Sequence, residues 1–345
     1  MRRREVLGPP EVTYSAVMRA ILVVNPQATS TTAGGRDVLA HALASQVKLD
    51  VVETDYRGHA MAVARSAARD GIDLVVAHGG DGTVNEVVNG LLADAVTSGS
   101  SPRAGGSATR TPVSGSGDPA EIGRVPALGV VPGGSANVFA RALGISADSF
   151  EATHQLLNAL ENDRSRRVGL GLADGHWFTF NSGLGWDADV VGRVAKRRGK
   201  QTTAGLYMRA AVRSYFRPPL GRPALTIRIP GEDPIEALTA FVSNTDPWSY
   251  LGERAIHLNP GCSFESGLGL FALSGLGLPT VFKHVRQALA TKSNQRGRRL
   301  VRHDDLPVIR IDAAEPVNFQ VDGDLVGQRT RVEFFSVPDA LTVIV

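Results

Sequence analysis

Apolar positions along the first half of the chain switch between two periods. Ala20–Val24 is a short continuous apolar run that ends at Asn25-Pro26. Arg36–Val47 then carries Val38, Leu39, Ala42, Leu43 and Val47 at helical spacing. Leu49–Glu53 reads as a second strand and Ala60–Ala68 as a second helix. Ile72–Ala77 is a third, buried strand, followed by a Gly-rich turn and a helix through Val84–Leu92. Ala127–Val131 repeats the unit as strand, Gly-rich turn and a helix through Phe139–Leu143. Strands alternating with helical segments predict a parallel sheet covered by helices on both faces.

After about residue 165 the period shortens. Trp177–Asn181, Ala224–Ile229, Ala237–Val242, Gly269–Leu273, Val308–Ile311, Val317–Val321 and Thr330–Phe335 read as short strands, most of them separated by Gly, Pro or Asp turns. This predicts a β-sandwich or an open barrel, with helical segments near Gln201–Tyr215 and Thr280–Thr291. Thr97–Gly123, between the last two α/β units, is Ser, Gly, Thr and Pro without periodicity and is expected to be a flexible insertion. Residues 1–17 are expected to be a disordered extension: Arg2-Arg3-Arg4 is followed by Glu5, Pro9 and Pro10, not by the apolar run of a signal peptide.

At 345 residues, two domains are expected and no metal or disulfide staple is required. The single cysteine, Cys262, excludes an internal disulfide and a Cys-rich zinc site, and it is expected to be buried and inert. Lys and Arg total 37 against 34 Asp and Glu, a net charge of +3 that conceals an uneven distribution. Residues 193–222 contain nine bases and no acid, and residues 283–302 contain seven bases and no acid. No apolar run approaches the ~20 residues of a membrane span.

The chemistry concentrates at two turns. Gly79-Gly80-Asp81-Gly82-Thr83, with Asn85 and Glu86 beyond, joins a buried strand to a helix. Glycines there let backbone N–H groups approach a phosphate, and the helix N-terminus favours an anion. An acid among such amides repels a phosphate unless a cation bridges them, so Asp81 implies Mg²⁺; the plainer reading is that Asp81 caps its own helix. Pro132-Gly133-Gly134-Ser135-Ala136-Asn137 forms a second such loop at the end of the next strand. Two loops at adjacent strand ends make a crevice at the carboxyl edge of the sheet, where α/β ligands bind. Asn25 and Thr54 end the first two strands on that same edge. Neither loop continues as Gly-Lys-Ser/Thr, which excludes a Walker A motif. His59, His78 and His257 show no metal-ligand spacing, and His78 is expected to lie on the buried third strand. Trp177, Trp186 and Trp248 are expected to pack in a core or a crevice.

Asn25-Pro26, Gly79–Thr83 with Asn85-Glu86, Pro132–Asn137 with Phe139-Ala140-Arg141, and Val321-Asp322-Gly323-Asp324 resemble, in order, the motifs of the diacylglycerol kinase catalytic-domain family. These lipid kinases are themselves similar to sphingosine and ceramide kinases and related to NAD kinases. The resemblance covers residues 18–345 apart from the insertion. It implies an α/β nucleotide-binding domain over residues 18–165, of the NAD kinase and phosphofructokinase type. A β-sandwich lipid-substrate domain over 166–334 follows, and residues 335–345 return to the first domain. It implies ATP and Mg²⁺ as cofactors, with Asn25, Thr54, Gly79, Gly80, Asp81, Gly82, Thr83, Asn85, Glu86, Gly133, Gly134, Ser135 and Asn137 toward the nucleotide. Asp81 and Asp322 would be metal carboxylates, and Asp324 the general base on a lipid hydroxyl. For Asp322, an ordinary acid in an Asp-Gly hairpin turn is the competing reading.

The chain departs from the family pattern at Val138, Gly169 and Asp324, which stand where many members place Asp, Asp and Glu, and at Ser266-Gly267 in place of an Asp-Gly pair. The function implied is transfer of the γ-phosphate of ATP to diacylglycerol or a similar lipid alcohol. A soluble kinase of the NAD kinase type, or a nucleotide-binding protein with weak or no kinase activity, are the alternatives. The expected partners are the bilayer lipid substrate and an anionic membrane surface met by segments 193–222 and 283–302. Nucleic acid is not expected, a homodimer is the one self-association envisaged, and the expected location is the cytoplasm against the inner face of the membrane.

Overall fold

The computed structural model describes residues 18–98, 125–185, 188–189, 224–290 and 294–345. The expectations for residues 1–17, for most of the 97–123 insertion, for Trp186 and for the basic segment 193–222 with its helix near Gln201–Tyr215 lie outside the described residues.

The first half alternates as its pattern requires. Strands β1 (Arg19–Val24), β2 (Lys48–Glu53), β3 (Leu74–Gly79) and β4 (Ala127–Pro132) form a parallel sheet in the order β4-β3-β1-β2. The central strand β3 is buried along its whole length, which accounts for its uninterrupted apolar run. Helices α1 (Ala33–Ala44), α2 (His59–Arg69), α3 (Asp81–Leu91), α4 (Ala93–Ser98), α5 (Val138–Ala142) and α6 (Ser149–Glu161) connect and cover it. Leu22, Leu43, Leu74, Leu128 and Phe139 fill the core between the layers.

The second half is a β-sandwich of antiparallel strands: β5 (Ser165–Ala173), β6 (His176–Phe178), β7 (Asn181–Gly185), β8 (Leu225–Arg228), β9 (Ile235–Ala237), β10 (Thr239–Ser243), β13 (Leu268–Leu273), β14 (Leu300–Leu306), β15 (Val308–Val321) and β16 (Asp324–Ile344). A separate hairpin, β11 (Ser249–Leu251) with β12 (Arg254–Ile256), and helix α7 (Leu278–Ala288) complete it. Phe178, Phe319 and Phe334 pack edge to face at the centre of its core.

One strand joins the halves. β16 runs 21 residues, pairing with β15, then with β5, and finally in parallel with β4 through Val343 and Leu128. The short strand expected at Thr330–Phe335 is therefore only its middle. Pro338 and Asp339 sit in a register shift between Val337 and Leu341, with Asp339 at φ +50°. The strand absorbs them as a bulge and continues.

Candidate functional site

The two glycine-rich loops lie side by side at the carboxyl ends of β3 and β4, and much of their glycine content follows from that contact. Gly133 N–H donates to Gly79 O at 2.8 Å. A Cβ on Gly134 would stand 2.6 Å from Gly80 Cα, and one on Gly133 would stand 3.1 Å from Gly79 Cα. Backbone meets backbone, so neither loop has room for a side chain. Gly134→Ala is accordingly expected to force the loops apart at a cost of about 1–3 kcal/mol, read as a lower thermal-unfolding midpoint. A midpoint equal to wild type would contradict the packing.

Gly82 is different. Its absent Cβ would meet only Asp324 Oδ2, at an ordinary 3.7 Å. Packing does not require glycine there, yet glycine leaves the N-terminus of α3 uncovered. Nearby, the Thr31 hydroxyl oxygen is buried without a hydrogen-bond partner and would sit 2.7 Å from a Cβ on Gly133. A bare helix N-terminus beside an orphaned buried hydroxyl suits an anion bearing several acceptor oxygens.

Asp81 does not cap its own helix; Gly80 holds that position without a side-chain bond. Its carboxylate turns instead to the second loop, where Phe139 N–H donates to Oδ1 at 3.3 Å at the start of α5. Burial pushes the Asp81 carboxyl up to about 7, the Phe139 amide pulls it back, and the charge of Asp322 raises it further. Asn137, at φ +49°, clamps the same loop by accepting from Gly134 N–H at 3.0 Å and donating to Gly134 O at 2.7 Å.

Asp322 and Gly323 form a two-residue turn with φ +45° and +77°, closing β15 onto β16 through the pair Val321 and Asp324. The hairpin reading of the Asp-Gly pair is thus correct for the backbone. The side chain adds more: Oδ2 accepts from Thr179 N–H at 2.7 Å, the Thr179 hydroxyl at 2.8 Å and Asn85 Nδ2 at 2.8 Å. Oδ1 accepts from the Phe180 and Asn181 amides, both at 3.1 Å. Burial raises this carboxyl, and the Thr179, Phe180 and Asn181 amides oppose the shift. A carboxylate offers about four lone-pair sites, so five donors saturate it. The carboxylate of Asp322, expected as a metal carboxylate, thus anchors the turn.

The turn delivers Asp324, the next residue, across the domain boundary to Gly82. Arg57, in the loop between β2 and α2, reaches Asp324 Oδ2 at 3.3 Å. Glu86 fixes that loop by accepting from Gly58 N–H at 2.9 Å, where Gly58 caps α2 at φ +89°. Arg57 was not legible in the sequence, being a lone base in a polar loop; the positive-φ glycine after it was the available sign of a built turn.

The remaining expected positions divide. Thr54 ends β2, its amide bonded to Val24 O. Asn25 donates to the buried Thr83 hydroxyl at 3.0 Å, tying β1 to α3. Ser135 is exposed at the loop tip. Asn85, expected toward the nucleotide, faces the sandwich instead and donates to Trp177 O at 2.9 Å and to Asp322. Asn89, one turn on, accepts from Trp177 N–H at 2.9 Å, so α3 is stitched to β6. His78 is buried on β3, its Nδ1 bonded to Val131 O, and burial lowers its pKa. Cys262 is buried, and burial raises its thiol pKa. Among the described residues there is no cluster of three or more His, Cys, Asp or Glu placed for a metal. Mg²⁺ usually needs only one or two carboxylates besides phosphate oxygens; Asp81 precedes Gly82 in the chain, and Asp324 Oδ2 lies 3.7 Å from a Cβ placed on Gly82.

Two glycine-rich loops at a parallel-sheet edge thus lie opposite a carboxylate carried by the antiparallel sandwich. Residues 19–171 match the family model of the diacylglycerol kinase catalytic domain. It is 34% identical over 133 residues to a diacylglycerol kinase of Bacillus subtilis, covering 38% of this chain and 33% of that one. It is 39% identical over 135 residues to a YegS-like lipid kinase protein of Chromohalobacter salexigens, covering 39% and 33%. The chain thus matches about a third of the length of these curated relatives. A crystal structure of a Bacillus anthracis diacylglycerol kinase shares the fold over 96% of this chain and 97% of that one, with a TM-score of 0.65 at 20% identity. Among the described residues no helix is long and apolar enough to cross a membrane.

Proposed function

We propose that the protein is an ATP-dependent lipid kinase that transfers the γ-phosphate to the hydroxyl of diacylglycerol or a similar lipid alcohol. The observation that supports this best is the position of Asp324: a carboxylate from the sandwich stands at Gly82, over the N-terminus of α3. Phosphoryl transfer is mainly positioning and charge neutralisation. The amides of Gly80, Asp81 and Gly82 at the N-terminus of α3, with that of Ser135 at the tip of the second loop, hold the triphosphate. Asp81 and Asp324 are the residues that would hold Mg²⁺, which neutralises phosphate charge when bound. Asp324 accepts the proton of the lipid hydroxyl as its oxygen bonds to phosphorus and the bond to ADP breaks. Arg57 orients Asp324 and balances charge beside it. The reaction takes place in the cytoplasm against the inner face of the membrane, where a lipid alcohol presents its hydroxyl.

The test is radiolabelled ATP with Mg²⁺ and a panel of diacylglycerol, monoacylglycerol, sphingosine and ceramide in mixed micelles, with NAD as a separate acceptor. Label is expected in one lipid, reduced about 10²–10⁴-fold in Asp324→Asn. Label in NAD alone, or in no acceptor, overturns the proposal.

A further inference from the structure

Helix α7 has more apolar surface than the core uses. Val281, His284 and Ala288 face inward onto the cluster of Phe241, Leu258, Phe271, Leu273 and Leu276. Leu278, Phe282 and Val285 fall within about 60° of one another on a different side of the helix. They are 59%, 73% and 43% exposed. Three large apolar side chains in one stripe on a short helix form a patch, which a scatter of single exposed residues does not.

The surroundings of the stripe are positive. Lys283 and Arg286, on the same helix, are exposed, as are Arg296, Arg298 and Arg299 in the segment that follows. Between Glu265 and Asp304 the chain contains no acid. An exposed apolar stripe bordered by bases, on a helix too short to span, is the composition of an interfacial helix. The charge selects the occupant: anionic headgroups attract the bases while the apolar side chains enter the headgroup boundary.

We infer that α7 is a membrane-docking element, with Leu278, Phe282 and Val285 inserting into an anionic bilayer and Lys283 and Arg286 contacting its headgroups. The helix is tied to the crevice through the β11–β12 hairpin. Arg254 donates to Leu289 O at 3.0 Å through Nε, and His257 N–H donates to Ala288 O at 2.9 Å. At the far side of the hairpin, Arg141 of α5 lies 3.4 Å over the ring of Tyr250. A docked α7 therefore holds α5, whose Phe139 N–H donates to Asp81, at a fixed place relative to the surface. Such docking takes its purpose from the lipid-kinase reading above, but vesicle binding is read without any turnover.

The test is co-sedimentation of the full chain with vesicles of phosphatidylcholine alone and of phosphatidylcholine with 30 mol% phosphatidylglycerol (about a third anionic lipid). Wild type is expected to sediment with the anionic vesicles and to be released by high salt. Phe282→Asp should lower the partition coefficient about tenfold or more. Lys283→Glu with Arg286→Glu should remove the preference for anionic lipid. Because these side chains are exposed, the variants should melt with wild type, and Phe282→Trp should blue-shift its emission on the vesicles. Asp81→Ala should bind vesicles as wild type does, so a failed kinase assay leaves this result intact. Equal binding by Phe282→Asp and wild type overturns the inference. So does a wild-type dimer that Phe282→Asp turns into monomer without lipid, because the stripe would then cover a second copy of the chain.

Discussion

Asp81→Asn is expected to remain folded and to lose phosphoryl transfer by about 10²–10³-fold or more. The asparagine oxygen can still accept from Phe139 N–H at the start of α5, so the bridge between the two loops survives. What disappears is the negative charge beside Gly82, on which the proposed use of Mg²⁺ depends. The pH dependence of stability separates this from a general disruption. With burial holding the carboxyl at about 7 against an ordinary 3.8, the folded state binds the Asp81 proton more tightly than the unfolded state. That contribution is fully present below pH 3.8 and is lost as pH rises through 7. In metal-free buffer the wild type should therefore lose stability over that window, and Asp81→Asn should lose less. Steady-state kinetics with the accepted lipid, and denaturant unfolding from pH 4 to 8, check the two halves. Retention of kcat in Asp81→Asn would remove Asp81 from the chemistry.

The elements of the first half were legible because a parallel sheet buries its central strands on both faces. Leu74–Ala77 and Ala127–Val131 therefore stand out as apolar runs between amphipathic helices. Helix α6 was not anticipated. Its buried positions, Ala152, Leu156 and Ala159, are mostly small, so the stripe is weak. The clearer sign was its start, where Asp148 accepts from the Phe150 and Glu151 amides. The Thr330–Phe335 run ends well short of β16, which pairing with β5 on both sides carries through Pro338-Asp339. At the site, the sequence showed where glycine was needed but not why: Gly80, Gly133 and Gly134 serve loop against loop, and only Gly82 is left facing an empty approach. The partners of Asp81 and Asn85 lie 58 and 92 residues away, beyond what local spacing encodes.

Asp322→Asn is expected to be the most destabilising single-atom change in the site, although asparagine is among the residues best suited to the φ of +45° at that turn. The reason lies in the donors. One carboxylate oxygen receives three hydrogen bonds and the other receives two. Whichever way an amide is turned, its NH₂ group faces at least two donors, of which one or more is a fixed backbone N–H. Those groups are buried, so each left unsatisfied costs about 1–3 kcal/mol, and a total near 3–5 kcal/mol is comparable to losing one partner of a buried ion pair. The consequence reaches beyond stability. The same carboxylate holds Thr179, Phe180 and Asn181 of the sandwich and Asn85 of α3, and Asp324 lies only two residues on. Loosening the turn should move Asp324 away from Gly82, so activity should fall with the fold and not independently of it. Denaturant unfolding of Asp322→Asn beside Asp324→Asn reads the difference: the first should lose several kcal/mol and the second should stay near wild type. A variant at position 322 within about 1 kcal/mol of wild type would show that the five donors find other partners, and the anchoring role of Asp322 would fall.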